Sequence, residues 1–230
     1  MKIVGIQKLT LLDYPGKVAC TVFLNGCNFR CPYCHNATLL SHGIEDAVSE
    51  DEFFAFLEKR RGLLDAVCIS GGEPTLRPEL PDFCRRIKAL GYRIKLDTNG
   101  TAPKVLASLI GDGLLDYVAM DIKAPLFDYP ELLSADSDAP ARIAQSIDFL
   151  LHGSLPFEFR TTLVSEMIDE SGIRDIASLL AGAPRLFLQK FEDRGGNLVA
   201  GLSAVPLKTA EHYAEILRET VSHVALRGYF

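Results

Sequence analysis

Ala66-Val67-Cys68-Ile69-Ser70-Gly71-Gly72-Glu73-Pro74 opens the stretch that decides the fold. Its apolar start suits a short buried strand, and the polar Ser-Gly-Gly-Glu cluster stops it. Pro78 then begins a helical pattern that ends near Gly91. A second apolar strand over 93–96 is stopped in turn at Asp97-Thr98-Asn99-Gly100. Strand, helix and strand in that order form one βα repeat.

The same pattern extends in both directions. Upstream, a strand over 17–24 follows the turn-like Asp13-Tyr14-Pro15-Gly16. Ser49-Glu50-Asp51-Glu52 reads as a capping box that opens a helix to about residue 61. Downstream, helices are predicted over 103–110, 139–151, 173–180 and 209–221, with strands over 117–121, 157–164, 185–189 and 224–226. About six strand–helix units favour a parallel sheet with helices outside it. A full eight-fold barrel typically takes ~250 residues, and this chain has 230. The expectation is an α/β fold, a partial (β/α)6 TIM-like barrel, with 1–230 as a single domain. Periodicity alone leaves an open doubly wound sheet as the alternative.

Composition sets bounds on function. Hydrophobic residues make up 48% of the chain, enough for a sizeable core, and the net charge of −6 argues against nucleic-acid binding. No apolar run approaches the ~20 residues of a membrane span, and Met1-Lys2-Ile3-Val4-Gly5-Ile6-Gln7 does not read as a secretory signal. A soluble, cytoplasmic protein without nucleic-acid or membrane partners is expected. There, cysteines stay reduced.

Polar clusters follow four apolar runs: Asn25-Gly26-Cys27, Ser70-Gly71-Gly72-Glu73, Asp97-Thr98-Asn99 and Asp121-Ile122-Lys123. Parallel α/β folds gather ligand sites at the C-terminal ends of their strands, so one pocket would account for all four. The first cluster leads into Cys27-Asn28-Phe29-Arg30-Cys31-Pro32-Tyr33-Cys34-His35. Soft thiolates select zinc, copper(I) or iron–sulfur centres. A structural zinc site wants four ligands, and a Cys3His set would have to use His35 directly beside Cys34. A [4Fe–4S] cubane on three cysteines leaves one iron open for chemistry. Spacing alone leaves zinc and iron–sulfur both open. Cys20, Cys68 and Cys84 sit in apolar settings and read as small buried hydrophobes. His42, His152, His212 and His223 show no ligand spacing.

Cys27-x3-Cys31-x2-Cys34, with Tyr33 before the last cysteine, resembles the radical S-adenosylmethionine (SAM) signature. Ser70-Gly71-Gly72-Glu73-Pro74 resembles that superfamily's GGEP motif. Asp97-Thr98-Asn99-Gly100 and Met120-Asp121-Ile122-Lys123 are similar to its later SAM-site segments. Asp13-Tyr14-Pro15-Gly16-Lys17 and Phe23-Leu24-Asn25-Gly26-Cys27 are similar to activating enzymes of glycyl radical enzymes, above all those of anaerobic ribonucleoside-triphosphate reductase. The resemblance implies a partial barrel of the radical SAM type. It also implies a [4Fe–4S] cluster on Cys27, Cys31 and Cys34 that cleaves SAM reductively to a 5′-deoxyadenosyl radical. It places SAM against Tyr33, Gly71, Gly72, Glu73, Lys123 and, through the ribose, Gln189. Asp97, Thr98 and Asp121 would orient SAM or hold a monovalent cation. The implied partners are a glycyl radical enzyme and, as electron donor, a flavodoxin or ferredoxin. A radical SAM enzyme acting on a small molecule and a non-catalytic zinc- or cluster-stabilised module are the alternatives. Arg227-Gly228-Tyr229 is similar to the radical-bearing loop of the partner enzymes in only these residues, and is read as chance.

Overall fold

The computed structural model describes residues 1–34, 37, 48–193 and 195–229. His35 and His42 lie outside them. The chain divides into two compact units, the first made of 1–28, 38–98 and 104–118, the second of 29–37, 99–103 and 119–230. Strands follow one another in chain order, β1 to β8.

The first unit carries β1 (Ile3–Thr10), β2 (Ala19–Leu24), α1 (Glu50–Lys59), β3 (Ala66–Gly71), a 3-10 turn (Pro74–Leu76), α2 (Leu80–Ala89), β4 (Arg93–Thr98) and nearly all of α3 (Pro103–Gly111). Strands β2, β3 and β4 are parallel, with Ala19 beside Ala66 and Ala66 beside Arg93 in register. The predicted capping box is present: the Ser49 hydroxyl accepts from the Glu52 N–H at 3.2 Å, and Glu52 accepts from the Ser49 N–H at 2.9 Å. Helices α1 and α2 meet through Phe53 and Phe83, whose rings stack at 5.4 Å, with Phe54 edge-on. The buried Tyr92 hydroxyl donates to the Leu57 carbonyl at 2.6 Å, closing off the end of α1.

One strand was not expected. β1 pairs antiparallel with β2, and its register shifts at Ile3/Gly5 and again at Gln7/Thr10. Its sequence, Ile-Val-Gly-Ile-Gln-Lys-Leu-Thr, lacks clean alternation because only its two ends are buried. The scattered cysteines follow their sequence reading. Cys20, Cys68 and Cys84 are free and buried, and burial pushes each thiol up to about 12.

The boundary between the units falls within β5 (Tyr117–Asp121). The second unit adds α4 (Tyr129–Leu133), α5 (Ala139–Leu151), β6 (Phe157–Leu163), α6 (Glu170–Leu179), β7 (Leu186–Lys190), α7 (Leu207–Arg218) and β8 (Val224–Arg227). β6, β7 and β8 are parallel. Helix α6 begins earlier than its apolar pattern implies, because Asp169 caps it by accepting from the Gly172 N–H at 2.8 Å. Arg227 donates both guanidinium arms to the buried Glu158 carboxylate, at 3.1 and 3.3 Å, and lies 3.3 Å over the Phe187 ring. Tyr229 donates to the Val205 carbonyl at 3.0 Å. Arg227 and Tyr229 are thus tied into the fold around β8.

Candidate active site

In the first unit the Ser70-Gly71-Gly72-Glu73 segment turns tightly against the end of β2. The Gly72 N–H donates to the Leu24 carbonyl and the Glu73 N–H to the Gly26 carbonyl, each at 2.8 Å. A Cβ on Gly72 would lie 2.0 Å from the Gly26 carbonyl oxygen. One on Gly71, whose φ is +114°, would lie 2.3 Å from the Leu24 carbonyl oxygen. Gly71 and Gly72, which the resemblance places against SAM, are therefore also where β3 approaches the chain segment leading into Cys27 most closely.

Glu73 is 1% exposed and organises its surroundings. Its Oε1 accepts from the Thr75 N–H at 3.1 Å, the Thr75 hydroxyl at 2.5 Å and the Thr98 hydroxyl at 2.7 Å. The ends of β3 and β4 are thereby held together, which brings two predicted site residues, Glu73 and Thr98, into one network. Asp97 belongs to a second cluster in the same unit. It accepts from Ser70 at 3.1 Å through Oδ2, and Lys95 pairs with its Oδ1. Lys95 and Asp97 are two residues apart on β4 and so face the same side.

In the second unit Asp121 is the hub. Its Oδ1 accepts from Arg160 Nε at 2.7 Å and its Oδ2 from Lys123 Nζ at 3.2 Å. Burial works to raise the Asp121 pKa, but the guanidinium and ammonium outweigh it and bring the carboxyl down to about 2. Lys123 is shifted well above the ordinary lysine range. Burial opposes that shift, and Asp121 is the largest favourable cause. The Lys123 N–H donates to the hydroxyl of the fully buried Tyr129 at 2.8 Å. Tyr129 also packs edge-on against Phe29 at 5.7 Å.

This geometry makes Asp121→Asn costly. The substitution leaves Arg160 and Lys123 facing a neutral amide, and at neutral pH it is expected to lose about 2–4 kcal/mol in urea unfolding. A carboxyl whose folded pKa is depressed stabilises above its ordinary pKa and loses that contribution as pH falls toward the folded value. The gap between wild type and variant is therefore expected to narrow from about pH 5 downward. A gap that stays constant with pH would contradict the charged pair.

Cys31 and Cys34 also lie in the second unit, on a turn closed by the Cys34 N–H donating to the Cys31 carbonyl at 3.0 Å. Cys27 lies in the first unit, one residue before the end of its first stretch. Cys31 is buried, and Cys27 and Cys34 are half-buried. Among the described residues no three His, Cys, Asp or Glu side chains gather closely enough to hold a single metal ion. A cubane differs from a single ion in taking each thiolate on a separate iron. Tyr33, between the two later cysteines, is 5% exposed, and its hydroxyl has no hydrogen-bond partner among the described residues. Burial raises its pKa well above the ordinary tyrosine range, with nearby Lys123 pulling the other way. A buried hydroxyl without a partner carries a desolvation penalty that a polar ligand would relieve. Three soft thiols in one short loop, together with that hydroxyl, fit a [4Fe–4S] cluster with SAM beside it.

Gln189 lies half-buried on β7, in register with Thr162 and Arg227. Sequence reasoning had no place for Lys95 and found no partner for Arg160. Lys95 had a visible signal: a charge inside an apolar strand, two residues before an aspartate. Arg160 had none, because its partner lies 39 residues away.

Residues 21–171 match the model of the radical SAM superfamily. A protein of Methanocaldococcus jannaschii named as a glycyl-radical enzyme activating enzyme is 37% identical over 195 residues, which cover 83% of this chain and 80% of that protein. A 7-carboxy-7-deazaguanine synthase of Koribacter versatilis is 36% identical over 116 residues, covering 49% of this chain and 47% of that enzyme. Among solved structures, SuiB of Streptococcus suis bound to SAM aligns over 90% of this chain and 52% of its own, with a TM-score of 0.69 at 13% identity. That likeness is one of fold, and it agrees with the parallel-dominated βα architecture. The chain belongs to the radical SAM superfamily, in the same family as the Methanocaldococcus protein.

Proposed function

We propose that this chain is an oxidoreductase that installs a glycyl radical on a partner enzyme, most specifically an anaerobic ribonucleoside-triphosphate reductase. The observation that carries this reading is the relative named as a glycyl-radical enzyme activating enzyme, which matches over most of both chains. The sequence around Asp13-Tyr14-Pro15-Gly16 and Phe23-Leu24-Asn25-Gly26 supports the choice of reductase by its resemblance to activating proteins of that enzyme.

In this reading 1–230 work as one radical SAM domain. Cys27, Cys31 and Cys34 hold the cluster as thiolates. Gly71, Gly72 and Glu73 shape the turn that receives the methionine end of SAM, and the Glu73 network keeps that turn rigid. Lys123, fixed by Asp121 and by the Tyr129 hydroxyl, presents a positive charge to the SAM carboxylate. Tyr33 lies beside the adenine, and Gln189 reaches the ribose. When bound, the cluster and SAM supply one-electron cleavage of the C5′–S bond and so a 5′-deoxyadenosyl radical for hydrogen abstraction. The electron comes from a flavodoxin or ferredoxin. No described helix is long and apolar enough to cross a membrane, and the reduced, buried thiols of Cys20, Cys68 and Cys84 suit the reducing cytoplasm.

A second reading, a radical SAM enzyme acting on a small molecule, is favoured by the partial match to 7-carboxy-7-deazaguanine synthase. One experiment separates the two. Reduced, cluster-loaded protein is mixed with SAM and an anaerobic ribonucleotide reductase, then frozen for electron paramagnetic resonance. The expected result is a glycyl radical doublet that depends on SAM. Absence of the doublet with a reductase known to be competent, together with turnover of a small molecule, would sink the activase reading.

A further inference from the structure

Pro74-Thr75-Leu76 forms a 3-10 turn directly after Glu73, and Arg77 ends it. The Arg77 N–H donates to the Pro74 carbonyl at 3.0 Å, and the Arg77 carbonyl accepts from the Leu80 N–H at 3.1 Å, at the head of α2. The backbone of Arg77 is thus fixed on both sides. Its side chain returns to the segment before Cys27, which lies in the same unit. A Cβ on Gly26 would lie 2.2 Å from Arg77 Nη2 and 3.4 Å from its Cζ. The guanidinium therefore fills the space that a side chain at position 26 would take, one residue before Cys27. The Glu73 N–H bond to the Gly26 carbonyl, at 2.8 Å, ties the same two segments from the other end of the turn.

Among the described residues Arg77 forms no ion pair, and its Nε is buried without a hydrogen-bond partner. A guanidinium stays protonated in proteins. A buried donor without a partner costs stability, and a cation held away from water calls for a negative charge beside it. An apolar side chain would fill the space against Gly26 without either cost, so packing does not account for the charge. The cluster on Cys27 does. Three thiolates outweigh the charge of a [4Fe–4S]2+ core, and one electron from the flavodoxin or ferredoxin lowers that core to 1+ with no bond broken. The reduced state carries the larger negative charge, so a fixed cation beside Cys27 stabilises it more than the oxidised state.

We propose that Arg77 tunes the cluster, its guanidinium raising the midpoint potential by favouring the reduced state. This rests on the cluster being held by Cys27, which the test checks separately. Wild type, Arg77→Met, Arg77→Gln and Arg77→Lys would be reconstituted anaerobically as full chains and assayed for iron and sulfide. Each would then be titrated electrochemically without SAM, the reduced cluster being followed by electron paramagnetic resonance. In Arg77→Met and Arg77→Gln the ratio of reduced to oxidised cluster at a given potential is expected to fall about tenfold, a midpoint about 59 mV lower for one electron. Arg77→Lys, which keeps the charge, is expected to stay within about threefold of wild type. Loaded Met and Gln variants with the wild-type midpoint would overturn the proposal. So would a Lys variant that falls as far as they do, because the loss would then follow packing rather than charge. If Arg77→Met does not fold, the comparison of Arg77→Gln with Arg77→Lys decides. Wild-type protein that takes up no iron–sulfur cluster would instead overturn the cluster reading.

Discussion

Cys31→Ala is expected to abolish both the cluster and SAM cleavage. A cubane held by three protein thiolates has no spare ligand, and removing one leaves a second iron open to solvent and the cluster prone to loss. After anaerobic reconstitution the variant is expected to hold little iron and sulfide, to lack iron–sulfur absorption, and to form no methionine or 5′-deoxyadenosine from SAM with a chemical reductant. The fold is expected to survive, because Cys31 sits on a loop turn whose closing hydrogen bond is made by backbone. Circular dichroism like that of the wild type guards against the trivial explanation. Retained SAM cleavage by this variant would refute the ligand assignment. Stoichiometric zinc in wild-type protein purified without oxygen, with no iron–sulfur absorption, would point to the non-catalytic module.

The second large effect is on stability. Gly72→Ala places a Cβ 2.0 Å from the Gly26 carbonyl oxygen and 2.6 Å from its carbon. Both atoms are backbone, so no side chain can move aside. Relief requires β3 or the Asn25-Gly26 segment to shift, which breaks the Glu73 N–H bond to the same carbonyl. A loss of about 3 kcal/mol or more is expected, at the upper end of overpacking costs. Urea unfolding measures it. Gly111→Ala is the internal control. It lies at the end of α3 with nothing near the new methyl, and is expected to be neutral or to gain a few tenths of a kcal/mol. Equal effects at the two positions would show that the close approach at Gly72 is not a constraint.

Much of this molecule was legible before the structure. The Ser49–Glu52 box, the strand that runs into Gly71-Gly72 and the buried scattered cysteines are local properties, set by residues within a turn of one another. The first strand was missed because an edge strand need not alternate when only its ends are buried. The helix at Tyr129 was missed because it is a single short turn whose purpose is tertiary, to aim the Tyr129 hydroxyl at the Lys123 backbone. The cysteine loop was the strongest local signal, while the charge network around Asp121 was silent. A sequence shows Asp121 and Arg160 as isolated charges, and only the adjacency of β5 and β6 makes them a pair. The proposed binding roles inherit this asymmetry: the motif residues were named in advance, and the residues that hold them in place were not.

The buried thiols bear on how the protein ages in air. With pKa values pushed up to about 12, Cys20, Cys68 and Cys84 carry almost no thiolate at neutral pH. Oxidants and alkylating reagents attack thiolates, so these side chains are shielded twice, by burial and by protonation. If the loop of Cys27, Cys31 and Cys34 holds the proposed cluster, chemical damage is thereby funnelled to it once the iron is lost. A sample ruined by oxygen would keep its interior intact and remain open to repair by reduction and fresh iron and sulfide.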